Sequence, residues 1–179
     1  MRKIFKIIIY ILVSIFVVYN LLLSDINPMF KNNEFIYLTN SINEAKKENL
    51  NSIVAIYNKI HKHLPKKQKI NPCEKVTHYI SSYRHGFSLT KFVYFLKIRH
   101  EFTSDDCLKL VFNQTDFLNN NIGIKNAAIF YFDKKIGNLN EEEKITLIVM
   151  MENPSLYNPK RRKEIVEDKV KLYLKLYYK

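Results

Sequence analysis

The sequence predicts an all-α domain preceded by one membrane-spanning helix, and three observations carry that reading. The run Ile7 to Ser24, IIIYILVSIFVVYNLLLS, contains no charged side chain. Most of the chain beyond it falls into segments whose apolar residues recur at helical spacing. Glycine is scarce, with only Gly86, Gly123 and Gly137, and neither a GxGxxG nor a GxxxxGK(S/T) phosphate loop occurs.

The first element follows from length. At about 1.5 Å per residue the uncharged run spans roughly 27 Å, close to the hydrocarbon core of a bilayer. Arg2, Lys3 and Lys6 precede it and Asp25 follows, so the positive-inside rule leaves the N-terminus in the cytoplasm. A cleavable signal peptide is the rival reading. The apolar run is long for one, and no small-x-small site follows at Leu22-Leu23-Ser24-Asp25. An uncleaved anchor over residues 1–24 is therefore expected, with the rest of the chain outside the cytoplasm.

Residues 25–49 are polar and mixed, and read as a juxtamembrane linker running into a short helix near Ser41 to Glu48. A domain over 50–179 follows. Ile53, Val54, Ile56, Tyr57 and Ile60 give a helical stripe between Leu50 and Leu64. A basic loop over residues 61–69 comes next, then helices at Glu74 to Tyr83 and Leu89 to Glu101, the second strongly aromatic. Thr103 with Asp105 and Asp106 marks the start of a helix that runs to about Asn113. Ala127 and Ala128 open an apolar run where a neighbouring helix can approach closely. Asn140 and Glu143 read as a capping-box variant. The helix they open is apolar almost all round (Ile145, Leu147, Ile148, Met150, Met151), so it should be buried on most sides. Pro154 and Pro159 stop it. The tail from Lys163 to Lys179 fits a strand through Val170, Leu172, Leu174 and Leu176, or a helix through Val166, Val170, Tyr173 and Tyr177.

Composition narrows the function. The net charge is +12, which suits an anionic membrane surface or a pyrophosphate-bearing lipid as well as nucleic acid. No nucleic-acid motif is present, and an outward-facing domain makes nucleic acid an unlikely partner. Lys59, Lys62, Lys66, Lys67 and Lys69 form one basic cluster and residues 160–163 another; each fits an anion site or a solvated charged face. The five histidines make no HExxH, and Cys73 and Cys107 make no CxxC, so no metal site and no cofactor are expected. Outside the cytoplasm the two cysteines are free to pair, and spacing alone leaves that open.

The stretch Gly123 to Pro159 carries the sharpest signal. Gly123, Ala127, Ala128, Tyr131, Phe132, Lys134, Leu139, Glu143, Leu147, Pro154, Tyr157, Asn158 and Pro159 fall in one ordered pattern, with Asp133 where a glycine is usual. In order and spacing this run resembles the family-51 glycosyltransferases, which polymerise the glycan strands of bacterial peptidoglycan. The resemblance covers about Leu50 to Leu174 and implies a lysozyme-like helical glycosyltransferase domain and a tail that is helical. It also implies a place in the inner membrane, single-pass, with the C-terminal domain periplasmic or otherwise extracytoplasmic.

The chemistry of the family lies upstream, where the chain departs from the pattern. Glycosyl transfer onto a sugar hydroxyl needs a base for the acceptor proton and cations for the departing pyrophosphate. The family supplies the base as a Glu in an ED..F..H motif. Here Tyr57 and Asn58 stand at the two acid positions, after Ile53-Val54-Ala55-Ile56. Val76 to Ile80 is an echo of GGSTITQQL that keeps Thr77. The second Glu, in RK..E, aligns with Lys91, and Arg84 is the nearest cation in that motif. Leu108 and Asn113 match the fourth motif, K..ILE.YLN, and Lys169 and Leu174 the last, RR..VL. The resemblance thus implies no catalytic residue, and a substrate-binding set of Lys59, Thr77, Arg84, Asn113 and Lys169. The partners it implies are lipid-linked peptidoglycan precursor or a glycan strand, the membrane, and a cell-wall synthase. Two alternatives stand beside this non-catalytic reading. One is an active, divergent polymerase with Glu74 or Glu101 standing in for the lost acid; the other is a membrane-tethered adaptor without a saccharide ligand.

Overall fold

The structure is a computed structural model that describes residues 2–80 and 89–179. Among the described residues the regular structure is helical: α1 Arg2–Leu23, α2 Asn33–Lys46, α3 Asn51–His63, α4 Pro72–Thr77, α5 Leu89–Glu101, α6 Ser104–Gln114, α7 Ile124–Phe132, α8 Glu141–Glu152 and α9 Lys163–Tyr177. An isolated antiparallel bridge between Asp116 and Ile122 is the nearest thing to a strand. The expected all-α architecture holds, and the tail is a helix.

Two helices form the centre. α6 buries seven consecutive residues from Asp106 to Phe112, and α8 buries seven from Ile145 to Met151. A helix apolar on all sides must be surrounded. α2 and α4 pack on α6, while α3 and α9 pack on α8, and α3 also reaches α6. Both central helices begin with capping boxes. Thr103 and Asp106 exchange bonds at the start of α6, and Asn140 and Glu143 do so at the start of α8.

The segment expected as a linker is more ordered than the sequence suggested. α2 begins at Asn33 rather than Ser41, and it sends Phe35, Leu38, Ile42 and Ala45 into the core. Asn32 caps it by accepting a bond from the Glu34 amide. At its other end Lys109 of α6 donates to the carbonyls of Lys46 and Glu48, at 3.1 and 3.0 Å. A buried ammonium is well placed there, because the last carbonyls of a helix lack intrahelical partners and carry partial negative charge. The polar letters of residues 25–49 masked a four-residue apolar stripe.

α1 is apolar and exposed along its length, with only 6% of its most apolar window buried. By length and composition it can cross a membrane. Its far end is docked to the domain. Lys97 of α5 donates to the Leu23 carbonyl (2.8 Å) and pairs with Asp25 (2.6 Å) and Glu101 (2.7 Å). Tyr94 donates to the Met29 carbonyl at 3.1 Å. Burial works against the charged form of Lys97, and the two carboxylates more than offset it, so its pKa is raised.

The two cysteines, left open by the sequence, are joined: a Cys73–Cys107 disulfide bridges α4 and α6 in the core. Gly123 opens α7 at φ +87°, and a Cβ there would lie 3.0 Å from the Asn113 carbonyl oxygen. Asp133 ends α7 in the left-handed conformation, φ 53°. That explains why a glycine is usual at this position: a helix commonly closes with a left-handed residue, which glycine adopts without a steric penalty.

Candidate functional site

Tyr57, expected from the resemblance at the base position, is enclosed. Tyr57 lies on α3 in the core, edge-on to Phe112 and stacked on the His61 imidazole, with ring centroids 6.1 and 5.0 Å apart. Burial, and then the charge of Glu152, push its hydroxyl well above the usual tyrosine range. A phenol so placed stays protonated at neutral pH and cannot accept a proton from a sugar hydroxyl.

Glu152 is the feature that sequence reasoning missed. It is the last residue of α8, where the helix dipole disfavours an acid. Its carboxylate accepts a hydrogen bond from the Tyr173 hydroxyl and pairs with Lys169 at 3.3 Å. Lys169 in turn lies over the rings of Tyr173 (4.7 Å) and Tyr157 (5.6 Å). Glu152 also opposes the lowering of the Lys75 pKa that burial causes. A carboxylate thus sits where α3, α8 and α9 meet, bonded to Tyr173 and Lys169, with its charge felt at Tyr57 and Lys75. The signal available in sequence was an acid placed against the dipole just before Pro154.

Lys91, expected from the resemblance at the second Glu, is half-buried and engaged with a histidine. The Lys91 ammonium lies 2.7 Å from His78 Nδ1. Burial, then Lys91, lower the His78 pKa, and the Glu74 charge opposes them. Of the two acids proposed as stand-ins, Glu74 therefore acts on the Lys91–His78 pair, while Glu101 is committed to Lys97.

The expected binding residues are dispersed. Lys59 lies over the Tyr177 ring at 4.4 Å, and Lys169, on α9 itself, lies over Tyr173, about one turn away. Thr77 is fully buried and its hydroxyl donates to the Glu74 carbonyl at 2.7 Å. Asn113 is half-buried near the end of α6, where its carbonyl backs Gly123. Arg84 lies outside the described residues. Among the described residues no group of three His, Cys, Asp or Glu side chains could hold a metal.

The run from Gly123 to Pro159 is scaffold. The Tyr131 hydroxyl donates to the Phe117 carbonyl at 2.7 Å, and the side-chain amide of the fully buried Asn158 donates to the Tyr131 hydroxyl oxygen at 3.4 Å. Lys134 pairs with Glu143 at 2.6 Å, next to the α8 cap.

The pattern of the family described as Transglycosylase matches residues 81–177, more than half of the chain. The chain belongs to the transglycosylase family. Within it, penicillin-binding protein 4 of Bacillus subtilis (strain 168) is 28% identical over 96 residues, covering 52% of this chain and 15% of that protein. This transglycosylase-family chain thus spans a small part of that relative's length. The match begins beyond α3 and α4, so it covers the Lys91 position but not the Tyr57 position. It does contain the elements that supply Glu152, Lys169 and Tyr173. The lysozyme-like helical fold of the family agrees with the architecture described above.

Proposed function

We propose that this is a membrane-anchored protein of cell-wall biogenesis that binds lipid-linked peptidoglycan precursor or a glycan strand without polymerising it. One observation supports the reading: Tyr57, which the resemblance sets at the family's base position, is buried and its hydroxyl stays protonated. Loss of a general base typically removes about 10²–10⁴-fold in rate. The cations that would meet a pyrophosphate remain, in Lys59, Lys75 and Lys169 around α9.

Orientation is part of the proposal. The basic residues before α1 favour a cytoplasmic N-terminus, and a core disulfide fits an oxidising compartment on the other side. This supports a single pass through the inner membrane with the domain outside the cytoplasm. A synthase as binding partner belongs to the same reading.

The test is polymerisation of labelled lipid-linked disaccharide by the detergent-solubilised full-length protein, with Tyr57→Glu alongside. The expected result is measurable precursor binding and no polymer from the native chain. Polymer from the native chain would overturn the reading. A second reading, an active and divergent polymerase, is favoured by the carboxylates of Glu152 beside Tyr57 and Glu74 beside His78. It predicts that Glu152→Gln or Glu74→Gln abolishes whatever polymer forms.

A further inference from the structure

A separate cavity of about 670 Å³ opens between the α3–α4 loop and the turn joining α5 to α6. Its size is that of a small-molecule site. Lys69 and Arg99 line it, with His61, His100 and the Ser104 hydroxyl. Arg99 rests against the Phe95 ring at 5.6 Å and has no carboxylate partner among the described residues. Lys69 spends one ammonium proton on the Lys62 carbonyl, at 3.0 Å, and keeps two. Glu101 is the acid in the lining, and its charge is held by Lys97 at 2.7 Å. The two aspartates nearby do not line the cavity. Asp105 accepts from the Asn58 amide, and Asp106 is folded into the α6 capping box.

The position of this cavity relative to α1 decides the ligand. The same Lys97 that holds Glu101 also holds the Leu23 carbonyl, at the last residue of α1. Lys97 to Glu101 is one helical turn, about 6 Å along the axis. The headgroup region on one side of a bilayer is about 5–8 Å thick. Glu101 in the cavity lining is thus one turn from the residue that holds the end of the apolar helix, a distance comparable to the thickness of the headgroup layer. Free cations in it face the layer where lipid phosphates lie.

We propose that this cavity binds the anionic phosphodiester headgroup of a membrane lipid, with Arg99 and Lys69 on the phosphate oxygens. The planar guanidinium suits two phosphate oxygens at once, and the ammonium acts as a point charge beside it. The site rests on α1 being a membrane anchor and is independent of the glycan reading.

The test is calorimetric titration of the full-length protein in a neutral detergent. The probes are dihexanoylphosphatidylglycerol, dihexanoylphosphatidylcholine, inorganic phosphate and inorganic pyrophosphate. The anionic lipid should bind at least about ten-fold more tightly than the other three. Arg99→Gln with Lys69→Gln should weaken it about ten-fold or more, Arg99→Lys should weaken it less than Arg99→Gln does, and the distant Lys175→Gln should leave it within about three-fold. An unchanged melting temperature in each variant confirms that the fold is intact, and Arg99→Gln alone replaces the double variant if that one melts early. Equal affinity for the two lipids, or anionic-lipid binding unmoved by the substitutions, would overturn the proposal. So would pyrophosphate binding as tightly as the anionic lipid, which would mark a free-anion site. Extraction of α1 from membranes by alkaline carbonate tests the anchor separately, so the two failures are distinguishable.

Discussion

Replacing Cys73 and Cys107 by alanine should lower stability by an amount that the chain path sets. The disulfide joins residues 34 positions apart, and both are buried. Closing a loop of that length removes about 3.8 kcal/mol of unfolded-state entropy at 25 °C in the chain-entropy treatment. A chain of this size shifts its midpoint by about 2–4 °C per kcal/mol, so the double variant should melt roughly 8–15 °C lower. The assay is thermal unfolding of the full-length protein in detergent, followed by circular dichroism at the helix band. The single variants decide the cause. Either one removes the cross-link completely, so each should lose nearly as much as the double variant, and the two effects should not add. Reductant should bring the native protein down to the same range. A double variant that melts within about 3 °C of native would refute the loop argument for this bridge. Single effects that sum to the double effect would mean that the sulfurs act as packing groups alone.

Three other outcomes follow from local geometry. Asp133→Gly should raise stability by about 0.5–1 kcal/mol in chemical denaturation, since the left-handed α7 terminus favours glycine; a loss would contradict that assignment. Gly123→Ala should cost about 1–3 kcal/mol, because the residue sits at φ +87° with a backbone oxygen 3.0 Å from the added carbon; a neutral result would mean the turn relaxes freely. His61 should make stability fall on acidification. Burial, then Lys69, hold its pKa below the ordinary 6.5 in the fold, and its Nε2 accepts the Ile70 amide as a neutral ring. The unfolded chain therefore takes up the proton first. Stability is full above about pH 6.5 and is lost as pH falls toward the lowered folded value. The melting temperature of His61→Gln should depend less on pH between about 7 and 5 than that of the native chain, and parallel curves would remove His61 from the account.

The sequence was most readable where one helix face or one cap settles the matter. Asn140 with Glu143 and Thr103 with Asp106 announced the two central helices, because a cap is a local bond between residues three apart. The helix of the tail needed the family pattern, since Val170 belongs to a strand-like alternation and to a helical stripe alike. Residues 25–49 were read as too loose, because four apolar residues of α2 are spread thinly among polar ones. The site was readable only in what it lacks. The resemblance sets Tyr57 at the base position, whereas its packing against Phe112 and His61 is a tertiary fact. Glu152 joins Lys169 and Tyr173 from another helix, and no spacing rule links positions so far apart. Lys97 carried a visible signal, a charge inside the aromatic run of α5, without any sign of what it would bind.

The contacts from Lys97 to Leu23 and Asp25, and from Tyr94 to Met29, fix how the domain stands relative to α1. A domain on a slack tether sweeps a hemisphere and meets molecules at many heights and angles. Here the chain between α1 and α2 is fastened at both ends of its short path. With α1 as the anchor proposed above, the junction of α3, α8 and α9 is held at one elevation and one bearing above the bilayer. Whatever the protein holds is presented to its neighbours from that fixed elevation. A partner in the same membrane would have to match that geometry, and lengthening residues 24–32 would alter the match without touching a single residue of the site.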